Sequence, residues 1–390
     1  MSDSPALIAA WARSAVAPHG GAFRALAAHD IAAPVLQATL QRAGILADEV
    51  DAVVLGNALG AGGNPARMAA LAAGLPDRCA ALSVDTQCCA GLDAVAVAVG
   101  LLTSGQADVV VAGGVEAWSR APIRQHRPMH PGEEPIEYER PAFAPTPARD
   151  PDLLQVAADY AHWHAIDRLL QDAYAVDSHQ RAVENRAALR NEIVPIAGLY
   201  EDAYPRSLRP IAAARLPIQA VCHAGALDDA PNTCAVSTLA ISPRADGAAM
   251  VLLMTPDAAR RLRVKASAQW CASSSVGNDP AMPMLAAEAA THAVLKRAGL
   301  QSVQDLLAIE LHDAFAVQGL SYFCALGLQS DAINRRGGGI ARGHPIGASG
   351  AIALVRVLAD LQHLHITGAY GLAAVAGAGG VGAATIVQWC

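Results

Sequence analysis

Aromatic residues make up only 4% of this 390-residue sequence and charged residues only 16%, although 53% of it is hydrophobic. Alanine, valine, leucine and glycine must therefore supply the apolar fraction. So little charge excludes a disordered chain, which is polar and highly charged. Basic excess is also missing. The net charge is −7, which leaves no electrostatic footprint for nucleic acid. The cysteines, 8 in all, contain no C-x-x-C and do not have the spacing of a small disulfide framework. Cys88 and Cys89 are adjacent, but no second cluster has ligand spacing, so no metal is expected. The N-terminus carries Asp3 where a secretory signal needs positive charge. These features together predict a cytoplasmic protein with reduced thiols. Residues 366–390 lack charge and are long enough to span a bilayer. Gly368, Gly371, Gly377, Gly379, Gly380 and Gly382 interrupt that stretch. It reads better as two buried strands joined by a glycine turn, and no membrane is expected as a partner.

What is present is alternation. Strand-like runs at 52–55, 108–112, 250–254, 307–311 and 372–376 alternate with helical patterns at 34–43, 89–103, 283–298 and 349–361. This predicts α/β layering, and the length suggests two or three domains at roughly 150 residues each. From Trp118 to Asp152 the pattern breaks into proline-rich, mixed-charge sequence. Helical patterns with His162, His164 and His179 follow. We read 119–242 as an insertion that covers something. A weak repeat flanks it. Cys88-Cys89-Ala90-Gly91 opens an apolar helix followed by Val109–Gly114, and Gly347-Ala348-Ser349-Gly350 opens another followed by Ala373–Ala376. A duplicated α/β core follows as an expectation.

Three features offer chemistry. Cys88 is expected at a helix start, where unpaired N–H groups and the helix dipole favour a thiolate; the alternative is a small buried core residue. His344 lies between Gly343 and Pro345 in a glycine-rich turn, and Pro345 restricts the backbone on both sides. Walker spacing is absent there, which argues against a phosphate loop. His312-Asp313 stands at the carboxyl end of a predicted strand, the usual side for a ligand crevice, or else Asp313 caps the next helix. The pairs His162/His164 and His363/His365 have i, i+2 spacing. On a helix that spacing points to different faces, so they are read as surface or core residues.

In combination, these residues resemble the thiolase family over essentially the whole chain. The motifs are Asn64-Pro65-Ala66-Arg67, Cys88-Cys89-Ala90-Gly91-Leu92, Val111–Glu116, Asp246-Gly247-Ala248-Ala249, His312-Asp313-Ala314-Phe315 and Gly343-His344-Pro345-Ile346-Gly347. The resemblance implies an α/β fold with two duplicated βαβαβαββ halves in a five-layered αβαβα arrangement, plus a loop domain. The implied N-terminal half is 1–118 with 243–266, the loop domain 119–242 and the C-terminal half 267–390. A homodimer or homotetramer is implied. So is an acyl-CoA or acetyl-CoA thioester as substrate, with no permanently bound cofactor. By the same resemblance, Cys88 takes the acyl group and His344 activates the thiol and helps bind the thioester oxygen. His312 helps hold a second oxyanion hole, and Ser242 lies near the pantetheine arm. A thiolate attacks a thioester readily, and the oxyanion needs preorganised donors.

The sequence also departs from that family. Anchoring on Gly379-Gly380-Val381-Gly382 places the usual C-terminal Cys-x-Gly cysteine at Ala376 and its glycine at Ala378. The alternative cysteine of a His-Asp-Cys-Phe motif is Ala314. Cys324 and Cys89 are the candidate substitutes for it. Leu153-Leu154 stands where a Met-Gly pair is usual, after Asp152, and a CoA-contacting arginine is ambiguous between Arg209 and Arg215. The leading reading is an acyltransferase forming an acyl-Cys88 intermediate, with impaired condensation or thiolysis. Alternatives are a decarboxylative condensing enzyme or acyl-CoA hydrolase using the Cys-His-His set, and a non-catalytic acyl-CoA-binding subunit.

Overall fold

The computed structural model describes residues 6–60, 62–223, 233–329 and 331–390. Nine strands carry the architecture: β1 Leu7–Ser14, β2 Ala52–Gly56, β3 Ala80–Val84, β4 Val109–Ala117, β5 Ala245–Met254, β6 Ala268–Gly277, β7 Leu306–His312, β8 Tyr370–Gly377 and β9 Val381–Trp389. Their order across the sheet is β7-β8-β9-β6-β1-β5-β4-β2-β3. The duplication is visible in this order. In the first half β2 and β4 run parallel and β4 pairs antiparallel with β5, which pairs with β1. In the second half β7 and β8 run parallel and β8 pairs antiparallel with β9, which pairs with β6. The halves join where Leu7 and Ile8 of β1 meet Gln269 and Ala268 of β6. The uncharged C-terminal stretch forms β8 and β9, as its glycine turn predicts. No helix among the described residues is long and apolar enough to cross a membrane.

Two helices lie inside. Ala90–Thr103 follows β3, and Ile346–Leu364 precedes β8, the equivalent place in the repeat. They pack on each other, and the second also packs on strands of both halves. Small residues make this possible. A Cβ on Gly114 would stand 2.0 Å from the Gly347 carbonyl oxygen, and one on Gly347 would stand 2.6 Å from Asn57 Cα. Outer helices Ala28–Ala43 and Ala286–Ala298 cover the opposite faces. The first begins well before Pro34, which sits within it. Asp30 accepts from the Ala27 N–H and starts the helix upstream of the proline.

Between β4 and β5 the chain leaves the sheet. It forms the helices Leu153–Trp163 and Arg168–Glu184 and a short strand, Ile193–Val194, that adds to β1. This segment is tied down by a buried ionic network. Glu192 holds Arg13 at 2.6 Å and also Arg356, both fully buried. Asp202 takes the other side of Arg13. Arg356 reaches Asp360 at 2.6 Å, and Glu310 lies 3.2 Å from Arg342. At the far end of the sheet, β3 is an edge strand with residues that are mostly exposed or half-exposed, Leu82 among them.

Candidate active site

The nucleophile candidate sits on a strained turn. The inner helix begins at Ala90, not at Cys88; a single 3₁₀ turn, Gln87–Cys89, precedes it. Gln87 has φ +57°, a left-handed conformation that side-chain-bearing residues rarely adopt. Asp85 accepts the Gln87 N–H at 3.0 Å and helps fix the turn. The result aims Cys88 and Cys89 in different directions. Cys88 Sγ lies 3.1 Å from His344 Nε2 and lines a cavity. Cys89 is buried with its thiol toward the carbonyls of Val375 and Val381.

His344 is held from every side. Its N–H donates to the Pro243 carbonyl, and its carbonyl accepts from Trp118 Nε1. Gly343 has φ +115°, which reserves that position for glycine. Ser349, one turn into the inner helix, donates its hydroxyl to the Pro345 carbonyl and lies 2.7 Å from His344 Nδ1. With the serine proton already used, Nδ1 carries the ring proton and Nε2 presents its lone pair to the thiol. Ser349 is a hydrogen-bond partner of His344 that sequence reasoning missed.

Burial decides the charge state. It lowers His344 to about 4 and raises Cys88 to about 12, although the N–H groups of Ala378 and of Cys88 itself favour the thiolate. The expected thiolate at a helix start is thus overruled by desolvation. The resting pair is a neutral thiol facing a neutral imidazole. His312 is 3% exposed and stacks on His344, with centroids 4.3 Å apart. Burial, and then the neighbouring His344, push it well below the usual histidine range, and its Nε2 has no hydrogen-bond partner among the described residues. Asp313 does not cap the helix that follows it. It accepts from Tyr174 and from the Ile340 N–H, which ties the turn Gly339–Arg342 to the helix Arg168–Glu184. Glu116 is buried and binds the N–H groups of Ala58 and Gly347, joining β4 to the start of the inner helix that follows His344.

The cavity is about 120 Å³. Besides Cys88 and His344 it is bordered by Ser242, Leu153, Val156, Phe315 and Met284. Ser242 donates its hydroxyl to the Gly339 carbonyl at 2.6 Å. Ala376, Ala378 and Ala314 all line the same space. Cys324 is exposed on the helix Ala316–Ala325 and does not border it. Arg209 and Arg215 flank the short exposed helix Pro210–Ala213. His363 and His365 border a separate cleft together. The helix stops at Leu364 and His365 turns left-handed, so helical facing does not apply to them. No group of metal-ligating side chains occurs among the described residues.

Comparison with known proteins identifies the family. Residues 6–257 match the thiolase N-terminal domain and residues 264–389 the thiolase C-terminal domain. The chain belongs to the thiolase family, and its catalytic class is acyl transfer. It is 34% identical over 387 residues to VraB, a putative acetyl-CoA C-acetyltransferase of Staphylococcus haemolyticus, covering 97% of each chain. It is 33% identical to YhfS of Bacillus subtilis, a protein with the same putative activity, covering 94% of each. Among solved structures, the Bacillus anthracis acetyl-CoA acetyltransferase superposes with a TM-score of 0.88 at 28% identity, covering 99% of both chains. A thiolase from Ascaris suum, solved in complex with coenzyme A, gives 0.88 at 25% identity, covering 99% of this chain and 100% of that one.

Proposed function

We propose that this chain takes an acyl group from an acyl-CoA onto Cys88 and passes it on, with non-decarboxylative condensation slowed by the absence of a second thiol. The carrying observation is the 3.1 Å Cys88–His344 contact in a cavity where Ala314, Ala376 and Ala378 face the nucleophile. His344 Nε2 takes the thiol proton as Sγ attacks the thioester carbonyl. The carbon–sulfur bond to CoA breaks, and the departing thiolate recovers that proton. The N–H groups of Cys88 and Ala378 point toward Cys88 Sγ, which puts two donors beside the carbon it attacks for the oxyanion that forms there. CoA-bound relatives and the named activity of VraB and YhfS support the substrate class. Residues 119–242 act as the cover, since Leu153 and Val156 border the cavity. The outer edge of β3, which has no neighbouring strand among the described residues, supports a homo-oligomer.

Mass spectrometry after mixing with acetyl-CoA is expected to show one acetyl group on Cys88. Cys88→Ser should lose it and Cys89→Ser should keep it; an unacylated wild type would sink the reading and favour a binding subunit.

Proton abstraction beside the carbonyl is the step lacking a group. General-base catalysis contributes typically about 10²–10⁴-fold. Ala376→Cys is therefore expected to raise acetoacetyl-CoA thiolysis, followed by loss of absorbance. Ordinary enzymatic rates in wild type would show that another group supplies the base. A second reading, decarboxylative condensation, is favoured by the stacked His312–His344 pair, and malonyl-CoA turnover without thiolysis would select it.

A further inference from the structure

A second cleft, of about 560 Å³, shares no bordering residue with the Cys88 cavity. It opens where β1, the C-terminal end of the inner helix Ile346–Leu364 and the stretch before the short strand Ile193–Val194 come together. Its charges do not balance. Glu192 is the one carboxylate among the bordering side chains, and its two oxygens are taken by Arg13 and Arg356. Arg42 and Arg336 border the cleft as well. Arg42 donates from Nη1 to the Trp11 carbonyl at 2.7 Å and has no carboxylate within ion-pair distance among the described residues. Burial lowers its pKa, and Glu192 offsets that only in part. Arg336 meets Asp360 through Nε at 3.3 Å, and Asp360 is shared with Arg356. The terminal nitrogens of Arg336 are uncommitted among the described residues, and so are the side-chain amides of Asn191 and Gln362 on the same wall. The inner helix ends here too, and its partial charge of roughly −0.5 disfavours an anion. Two guanidinium groups, always charged, outweigh it.

We infer that this cleft binds a small phosphorylated anion, of diphosphate size or larger, between Arg42 and Arg336. Planar guanidinium donors match phosphate oxygens in geometry as well as charge. A terminal phosphate also offers three oxygens to a donor-rich wall, where a carboxylate offers two. The volume falls within the range of about 300–1,000 Å³ usual for small-molecule sites and exceeds what a single phosphate fills. The placement gives the anion a structural consequence. Arg42 lies near the end of the outer helix Ala28–Ala43, Arg336 precedes the turn Gly339–Arg342, and Gln362 lies on the inner helix. An anion held among them joins elements that otherwise meet through the Glu192 network, so binding is felt as added stability. The ligand is bound and released unchanged, and the site takes no part in acyl transfer.

Calorimetry with inorganic pyrophosphate on the full chain tests this. It is run with and without excess CoA, because CoA carries a pyrophosphate of its own and its site is a rival place for the probe. One pyrophosphate per chain is expected to bind in both cases and to raise the melting temperature. Affinity should fall several-fold as salt rises from about 0.05 M to about 0.5 M. Arg42→Gln and Arg336→Gln should each weaken binding by about 10- to 100-fold, as loss of a charge-assisted hydrogen bond implies. Acylation of Cys88 in Arg42→Gln should match wild type. No pyrophosphate bound to wild type overturns the inference, and that measurement needs no variant to fold. Binding that CoA abolishes belongs to the CoA site and overturns it as well. So does binding that both variants keep. Citrate held as tightly as pyrophosphate would overturn the assignment to phosphate. None of these outcomes bears on the acyl-Cys88 reading, which the acetyl-CoA experiment above decides separately.

Discussion

In a His344→Ala variant, formation of the acyl-Cys88 thioester is expected to slow by about 10²–10⁴-fold in single-turnover measurements, as loss of a general base implies. The size of the effect follows from the neutral resting pair. With Cys88 raised to about 12, almost no thiolate exists before the base acts, so no alternative supply bypasses His344. The pH dependence carries the same logic. Lowering of His344 to about 4 keeps its ring neutral and able to accept a proton through the neutral range. Wild-type acylation should therefore stay level as pH falls past 6.5 and decline only toward about 4, where the ring takes a proton. A midpoint near 6.5 would mean that His344 is not desolvated as described. His312→Ala should act more strongly on a later step, because His312 stacks on His344, whereas the hydrogen bond to Sγ is made by His344. Equal loss in both variants at acylation would break that division.

Arg356→Met is expected to destabilise the fold by about 3–5 kcal/mol, the usual consequence of removing one member of a buried charge cluster. Arg356 is fully buried and serves Glu192, Asp360 and Glu310 at once. Its loss leaves those carboxylates short of a partner at buried positions. Glu192 belongs to the segment between β4 and β5, Asp360 to the inner helix and Glu310 to β7, so the damage spreads across all three. Chemical denaturation of wild type and variant measures it. A change below about 1 kcal/mol would show that the cluster relaxes or admits water.

The sequence made some of this legible and hid the rest for physical reasons. Strands β4 and β7 announce themselves through dense valine, leucine and isoleucine, and the hairpin of β8 and β9 through its glycine turn. β1, β3 and β6 are rich in alanine and serine, which give little strand signal on their own; β1 and β6 become strands between neighbours on both sides, and β3 by parallel pairing with β2 alone. Cys88, His344 and His312 were readable because each sits at an element end in a distinctive local sequence. The ionic cluster was not, since Arg13 and Glu192 are 179 residues apart and Glu192 and Arg356 are 164 apart. Nor was the charge state of the thiol. A helix start near Cys88 is visible to a reader of sequence, but the left-handed turn at Gln87 and the depth at which it places Cys88 are not, and depth sets the protonation.

Strand β3 ends at Val84, and Asp85, Thr86 and Gln87 alone separate it from Cys88. Its outer edge has no neighbouring strand among the described residues, and it contains neither proline nor a charged side chain to discourage one. A second copy laid across that edge would run a single sheet through two molecules. Both nucleophile turns would then hang from the seam by a tether of three residues. The register of such a seam is fixed in steps that swap one face for the other, so a slip would be felt at both thiols together. Presentation of the reactive sulfur and the joining of subunits would form one mechanical unit, in which neither is adjusted without disturbing the other.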